Sequence, residues 1–433
     1  MKMFAVAGRP ILHSKSPLIF TRLFERGAVQ AAYGRLSIAS SSDLLDLARR
    51  LGFEGLNVTA PLKQSLLPRL DEVDGEARRI GAVNTVVRRD GLFKGFNTDP
   101  AGVLNPLKDN SIDPGGKRIL LLGAGGAARA VLAALRPFTA DITIINRTWD
   151  KALACVERFG GTARPWPDLR NCLEKADLLI NTIPPAADVL PAHWLPRRLT
   201  VLNAAYQDST FNAKAARRGC RVIPGEWWLY HQALKSYSLF LDCPAPPAEA
   251  FGRLFSPLYS ASKRLNVALV GFMGSGKTTI GRLLAGQTGF NFLDTDEIVS
   301  RAEGLSVGAI LARHGQGRFR AKEKEAVAKL AKNKRTVMAC GGGAVLDEDN
   351  RKILESNALV IWLCSSIQAI VSRVRGEDRP LLAGSDLQEK VRQLLTVRQP
   401  DYFKTADLII DADGDAEEVA RNIHEEICST IGS

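Results

Sequence analysis

The strongest constraint on this chain lies about two-thirds of the way along it. The apolar run Leu265-Asn266-Val267-Ala268-Leu269-Val270 has strand length and feeds Gly271-Phe272-Met273-Gly274-Ser275-Gly276-Lys277-Thr278, with a helical pattern beyond. The turn fits G-x-x-x-x-G-K-[ST] in the strand–turn–helix setting the motif requires. Glycines there let backbone N–H groups close around phosphates, and the new helix adds its N-terminal dipole. Gly274, Ser275, Gly276, Lys277, Thr278 and Thr279 are therefore expected to hold a nucleoside triphosphate. Lys277 would reach the terminal phosphates, and the Thr278 hydroxyl would help hold Mg²⁺.

At 433 residues the chain exceeds one ordinary domain. No apolar run is long enough to cross a membrane, and Met1-Lys2-Met3-Phe4-Ala5-Val6-Ala7-Gly8 reads as a strand, not a secretion signal. Seven scattered cysteines without C-x-x-C spacing argue against a disulfide frame or a zinc site and suit a reducing, cytoplasmic setting. The net charge of +12 suits polyanionic small ligands. Without a helix-turn-helix, a zinc finger or a basic run interleaved with aromatics, no nucleic-acid partner is expected.

Strand-like runs (Met3–Ala7, Gly55–Val58) alternate with helical ones (Pro17–Arg26, Ser42–Leu51) up to about residue 105. A cleaner alternation starts at Arg118–Leu122 and continues through Ile142–Ile145, Leu178–Ile180 and Thr200–Asn203, which predicts a parallel, doubly wound sheet. Gly225–Leu241 reads as helix, Ala248–Tyr259 as an amphipathic segment, and 260–264 as a linker. The expected class is α/β throughout: an N-terminal α/β substrate domain, a Rossmann-type dinucleotide domain, then a P-loop nucleotide domain with a parallel sheet. In residues, 1–105 with 225–262 form the substrate part, 106–224 the dinucleotide part, and 263–433 the P-loop part.

Gly123-Ala124-Gly125-Gly126-Ala127-Ala128-Arg129-Ala130 follows a strand and opens a helix, a relative of the dinucleotide fingerprint. Gly123 would make the tight turn and Gly125 admit a pyrophosphate, while Gly126 and Ala130 would allow close packing; a plain strand-to-helix turn has the same pattern. The next strand ends at Asn146-Arg147-Thr148, where an NAD site would carry an acid. Arg147 offers a planar cation for a 2′-phosphate, with Asn146 and Thr148 beside it, so NADP(H) is expected over NAD(H).

Upstream, polar clusters end several apolar runs: His13-Ser14-Lys15-Ser16-Pro17, Asn57-Val58-Thr59-Ala60-Pro61-Leu62-Lys63, Gly81-Ala82-Val83-Asn84-Thr85 and Gly95-Phe96-Asn97-Thr98-Asp99. Turn chemistry uses the same residues, and so does a pocket for a small polyhydroxylated acid. Together with the GAGG and NRT motifs and Gly225…Gln232, residues 1–260 resemble shikimate dehydrogenase. The resemblance implies NADPH-dependent reduction of 3-dehydroshikimate to shikimate. Ser14, Ser16, Thr59, Asn84, Asp99 and Gln232 would hold the substrate, Lys63 paired with Asp99 would be the catalytic group, and Tyr206 would touch the substrate. Ala124, Ala127 and Gly225 would join the cofactor contacts. Trp228, Asn203 and Pro184-Pro185 depart from the family pattern near the nicotinamide.

Behind the P-loop come Leu293-Asp294-Thr295-Asp296, Arg318-Phe319-Arg320, Gly341-Gly342-Gly343, Asp378-Arg379-Pro380 and Arg398-Gln399-Pro400. As an ordered set, residues 263–433 resemble shikimate kinase. That implies Asp294 near Mg²⁺ with Thr278, Asp296 on the acceptor hydroxyl, and Arg320 and Arg398 on the shikimate carboxylate. Gly342 would let backbone approach the ring, and Arg379 and Arg375 would close over ATP. The two resemblances name consecutive steps, so a bifunctional enzyme is expected, with small-molecule substrates as its partners. Two readings stay open beside it: a quinate/shikimate dehydrogenase preferring NAD fused to the kinase, and a ligand-sensing regulator without turnover. Oligomeric state cannot be read from these residues.

Overall fold

The fold is described from a computed structural model of the chain, which defines residues 1–138, 140–183, 190–205, 209–246, 266–375, 380–382 and 386–431. Tyr206, Arg379, Pro184-Pro185, the 248–259 segment and the 260–264 linker lie outside the described residues. The chain forms two compact units, Met1–Phe53 with the described part of Ala248–Ser433, and Glu54–Pro247.

The chain opens with β1 (Lys2–Gly8) and β2 (Ala31–Ser37), parallel to each other and linked by the helix Ser16–Arg26. That helix buries Ile19, Phe20, Leu23 and Phe24, the stripe its 3.6-residue period predicts. The helix Ser41–Leu51 follows, capped by the Ser40 hydroxyl accepting from Asp43 N and closed by Gly52 in the left-handed region.

The second unit holds two sheets. The smaller comprises β3 (Gly55–Val58), β4 (Glu72–Val73), β5 (Thr85–Arg89) and β6 (Leu92–Phe96), in the order β3-β5-β6-β4. Here β5 is antiparallel to both β3 and β6. Asp90 and Gly91 both have positive φ, 50° and 81°, the paired left-handed turn that a two-residue hairpin needs. This hairpin places Thr85 opposite Phe96, so Asn84 and Thr98-Asp99 arrive together at one end of the ladder.

The larger sheet of the second unit is wholly parallel: β7 (Arg118–Leu122), β8 (Asp141–Ile145), β9 (Thr162–Arg164), β10 (Leu178–Asn181), β11 (Thr200–Asn203) and β12 (Arg221–Ile223). Its order is β12-β11-β10-β7-β8-β9. Alternate residues of each central strand enter opposite cores. Ile119, Leu121, Ile180 and Leu202 join one with Val131 and Leu135, while Leu120, Leu122, Leu179 and Val201 join the other with Leu169, Leu173 and Phe211. Both faces are apolar because both are covered by helices, as a doubly wound sheet demands.

In the remaining sequence β13 (Asn266–Val270), β14 (Asn291–Asp294), β15 (Thr336–Ala339), β16 (Ala358–Cys364) and β17 (Leu408–Asp411) are parallel. The ladder runs β14-β15-β13-β16-β17 and continues into β2 and β1, since β17 pairs with β2 through Ile409↔Leu36 and Ile410↔Ser37. The P-loop strand β13 is fully buried in the middle of the five.

One packing detail corrects the reading of the GAGG turn. A Cβ on Gly126 would meet nothing within 4 Å, so packing does not require glycine there. Ala130 does pack closely, with Ala133 against Ile80 and Ala82. Ala130→Leu should therefore overpack this contact and destabilise by about 1–3 kcal/mol. A lowered thermal midpoint would show it, and an unchanged midpoint would contradict so tight a contact.

Candidate functional sites

In the second unit the Lys63 ammonium lies 2.8 Å from Asp99 Oδ2. Lys63 sits on the short helix Leu62–Ser65, whose Lys63 carbonyl accepts from Val83 N at 2.7 Å. Asp99 opens the helix Asp99–Asp109 and its N–H donates to Asn97 Oδ1 at 3.0 Å. The carboxylate side chain is 4% exposed while the lysine is 26% exposed, so the cation is the partner that an incoming molecule can reach.

Asn84 occupies the hub of the hairpin end. Its Oδ1 accepts from Thr98 N at 2.8 Å and from Thr85 Oγ1 at 3.0 Å, leaving Nδ2 to donate to Gln232 Oε1 at 3.1 Å. Asn57 donates to Thr85 Oγ1 and to Ser236 Oγ, both at 3.0 Å, and Thr85 and Ser236 are fully buried. Such a satisfied network holds its members rigidly. Thr59 is half-buried, and its carbonyl accepts from Leu62 N at 2.8 Å just before the lysine.

Trp228 explains one departure from the family pattern. Its indole Nε1 donates to Asp99 Oδ1 at 3.4 Å, opposite the oxygen that Lys63 holds. The ring lies against Gly102, where a Cβ would come within 2.6 Å of it. Asn203 explains another: it accepts from Asn181 Nδ2 and donates to Asn212 Oδ1, both at 3.0 Å, an amide chain linking β10 and β11 to the next helix.

At the end of β7 the backbone of Gly123 has φ of 106°, and a Cβ there would lie 2.4 Å from Thr182 Oγ1. Gly125 caps the helix Gly126–Leu135, and Cβ atoms on Gly125 and Gly126 would face open space. That leaves bare backbone at a helix N-terminus, which fits a pyrophosphate. Ala124 and Ala127 pack against the core behind it. Asn146 Nδ2 donates to the Thr148 carbonyl at 2.8 Å and fixes the turn after β8, where Arg147 is exposed. Gly225 is buried at the start of the helix Gly225–Leu241 that carries Trp228 and Gln232.

Ser14 and Ser16 belong to the first unit. Their hydroxyls are 3.2 Å apart, and the Ser14 carbonyl accepts from Arg35 Nε and Nη2 at 3.0 and 2.8 Å.

The second site is a cavity of about 420 Å³ lined by Gly274, Gly276, Lys277, Thr278, Thr279, Asp294, Asp296, Arg320, Gly342 and Arg398, among others. Gly271, Gly274 and Gly276 have φ of 146°, 79° and 86°, and Ser275 is buried inside the turn. Lys277 Nζ donates to the carbonyls of Gly271 and Phe272 at 2.9 and 2.8 Å. Thr278 Oγ1 donates to Asp294 Oδ2 at 2.7 Å, and the other oxygen of Asp294 accepts from Asp296 N. A hydroxyl and a carboxylate oxygen so placed suit a cation that takes its other ligands from phosphates and water, the usual habit of Mg²⁺.

The triple glycine has a clear reason. A Cβ on Gly341 would fall 2.3 Å from Glu323 Oε1, one on Gly342 3.1 Å from Met273 N, and one on Gly343 2.1 Å from Arg320 Nη2. Arg320 pairs with Glu323, which is fully buried. Burial pushes the Glu323 carboxyl above its ordinary value, and Arg320 beside it pulls it back. Arg398 donates to the Gly342 carbonyl at 3.1 Å, lies over the Phe272 ring at 5.5 Å, and shares that carbonyl with the Tyr402 hydroxyl. Two guanidinium groups, Arg320 and Arg398, thus line the cavity together with the P-loop.

The two predicted lid arginines fare differently. Arg379 lies outside the described residues, and Arg375 is an exposed helix C-cap that does not line the cavity. Arg373, two residues earlier, does line it and donates to the Gly274 carbonyl at 3.3 Å and the Ala412 carbonyl at 2.9 Å. Sequence reasoning missed Arg373 and Glu323, although the Arg320–Glu323 spacing on one helix face was available as a signal.

The fold and sites define two classes of enzyme in one chain: a dinucleotide-fold oxidoreductase and a P-loop phosphotransferase. A family model described as shikimate dehydrogenase substrate binding domain matches residues 6–86, one for shikimate / quinate 5-dehydrogenase matches 108–199, and one for shikimate kinase matches 273–428. The NADP(+)-type shikimate dehydrogenase of Moorella thermoacetica is 37% identical over 265 residues, 57% of this chain and 90% of its own. The shikimate kinase of the same organism is 47% identical over 170 residues, 39% of this chain and 97% of its own. The crystal structure of shikimate 5-dehydrogenase from Thermus thermophilus in complex with NADP(H) and shikimate is similar at 36% identity, with a TM-score of 0.54 over 59% of this chain and 100% of that one. The chain belongs to the shikimate dehydrogenase family over its first part and to the shikimate kinase family over its last, and it is a fusion of the two enzymes.

These contacts can be tested one site at a time. Trp228→Phe removes one donor to Asp99 and should lower the reductase kcat about fivefold, the worth of one hydrogen bond, leaving the kinase untouched; an unchanged rate would deny the contact any role. Gly343→Ala should displace Arg320 and lower kinase kcat/KM on the order of 10²-fold while the reductase serves as the folding control. Equal loss of both activities would instead mean general misfolding.

Proposed function

We propose that the chain carries out two successive reactions: reduction of 3-dehydroshikimate to shikimate with NADPH, then phosphorylation of shikimate to shikimate 3-phosphate with Mg·ATP. The observation that carries the first reaction is the Lys63–Asp99 pair, a reachable ammonium held by a buried carboxylate. NADPH supplies the hydride. The carbonyl oxygen that gains negative charge needs a proton donor within hydrogen-bond reach, and Lys63 can be that donor while stabilising the charge beforehand. Ser14, Ser16, Thr59, Asn84, Asp99 and Gln232 are assigned to the substrate's carboxylate and hydroxyls, and Tyr206 to a further substrate contact. Arg147, Asn146 and Thr148 are assigned to the 2′-phosphate, which favours NADP over NAD. Gly123, Ala124, Gly125, Gly126, Ala127 and Gly225 are assigned to the remainder of the cofactor.

For the second reaction, Lys277 and the P-loop N–H groups neutralise the phosphates, and Thr278 with Asp294 would hold Mg²⁺ beside them. Asp296 is assigned to the acceptor hydroxyl, Arg320 and Arg398 to the carboxylate, and Gly342 to the ring. Arg379 and Arg375 remain candidates for the nucleotide from the family resemblance. The functional division proposed is 1–262, with 1–105 and 225–262 on the substrate and 106–224 on NADP, followed by 263–433. Among the described residues, no helix is long and apolar enough to cross a membrane.

Lys63→Ala should cut the NADPH-dependent kcat by about 10²-fold or more with the kinase preserved. Lys277→Ala should do the reverse, on the order of 10²–10³-fold. Loss of both activities in either variant would contradict two separate sites, and retention of both would contradict the assigned roles.

A further inference from the structure

The compact unit does not follow the division of activities. Met1–Phe53, which falls largely within the dehydrogenase match, folds with the kinase. The β2–β17 ladder joins them, and it is reinforced around its rim. Arg50 reaches Asp413 at 2.7 Å and Asp411 at 2.9 Å. Gln399 donates to the Leu51 carbonyl at 2.7 Å, and Phe53 meets Phe403 at 5.7 Å between ring centroids. A Cβ on Gly34 would stand 3.2 Å from both Ile409 Cδ1 and Phe403 Cζ.

The most consequential contact is made by Glu426, on the final helix Ala416–Ile431 of the kinase part and fully buried. Its Oε2 accepts from Ile11 N at 2.8 Å and from Leu12 N at 2.9 Å, and its Oε1 accepts from Ser37 Oγ at 2.6 Å and Ile11 N at 3.1 Å. Ile11 and Leu12 begin the turn that carries Ser14, whose N–H donates to the Ile11 carbonyl at 2.9 Å. The far end of this turn is held by Arg35, whose guanidinium grips the Ser14 carbonyl and donates to the Asp407 carbonyl, just before β17, at 3.4 Å. Both ends of the Ile11–Ser14 turn are therefore fixed by groups that belong to the kinase sequence or bridge to it. A carboxylate is tolerated away from water only when hydrogen bonds replace its hydration, and charge-assisted bonds to backbone N–H groups are among the stronger ones. Such a contact has the character of a permanent core, not of a docking that opens and closes.

We propose that Glu426 is a positioning residue for the reductase: the kinase part holds the Ser14–Ser16 loop in its substrate-binding geometry, so the reductase depends on the kinase fold as well as on its own. This rests on the assignment of Ser14 and Ser16 to the substrate. Its failure and the failure of that assignment can be told apart in the full-length chain by measuring KM for 3-dehydroshikimate, reductase kcat and kinase kinetics in Ser14→Ala, Glu426→Ala and Glu426→Gln. Ser14→Ala should raise that KM. Glu426→Ala should raise it on the order of tenfold with kcat less affected and the kinase constants within about twofold. Glu426→Gln, which keeps an acceptor for Leu12 N and can turn its amide to Ser37 Oγ, should recover part of the loss. Should Glu426→Ala fail to accumulate, Arg35→Lys loses the fork on the Ser14 carbonyl and should raise the same KM. An unchanged KM in the Glu426 variants beside a raised one in Ser14→Ala would overturn the inference and leave the loop assignment standing. An unchanged KM in Ser14→Ala would overturn both.

Discussion

Both sites depend on one constraint: a parallel strand that must turn sharply into a helix where no side chain fits. At Gly123 the hydroxyl of Thr182 occupies the place of a Cβ, and at Gly271 the Leu363 carbonyl does so at 2.5 Å. Both residues have positive φ, and each neighbour comes from the next strand of its own sheet. The tight turn brings the following helix N-terminus to the strand end, where its free N–H groups suit a phosphate. Other side chains then arrive from elsewhere: Lys63 from the short helix Leu62–Ser65, Asp99 from the end of the β5–β6 hairpin, and Asp294 and Arg320 from the elements lining the P-loop cavity.

The segments most legible in the sequence were those governed by local rules. Thr200–Asn203 and Gly225–Leu241 form with the boundaries their patterns indicate, and the P-loop residues line a cavity with Asp294, Asp296, Arg320 and Arg398 as their order suggests. What escaped notice depends on contacts distant in sequence or on unread turn chemistry. The Asp90-Gly91 hairpin was signalled by its dipeptide, yet its consequence, bringing Asn84 to Thr98, needed the register of β5 on β6. Gly126 was assigned to packing because its motif position suggests it, whereas the neighbouring helix leaves it open. Gly341 and Gly343 look like an ordinary loop until Glu323 and Arg320 are seen to occupy their missing side chains.

The pairing of β17 with β2 could not have been inferred from periodicity, since any two apolar strands could satisfy the same pattern. It alters the picture of two enzymes joined by a linker. A buried carboxylate and a continuous ladder make the first 53 residues part of one compact unit with the kinase sequence, whereas residues 6–86 match the dehydrogenase substrate-binding family model. The departures from the dehydrogenase pattern also acquire local reasons. Trp228 adds a donor to the Asp99 carboxylate, and Asn203 joins a neutral amide chain from Asn181 to Asn212.

The central claim is that the product of one site is the substrate of the other. The most direct measurement supplies the purified full-length chain with 3-dehydroshikimate, NADPH and Mg·ATP and follows NADPH oxidation alongside product identity. The account predicts shikimate 3-phosphate, formed only when both nucleotides are present, and shikimate alone when ATP is omitted. NADPH oxidation absent with 3-dehydroshikimate, or shikimate accumulating unphosphorylated in the presence of Mg·ATP, would contradict it.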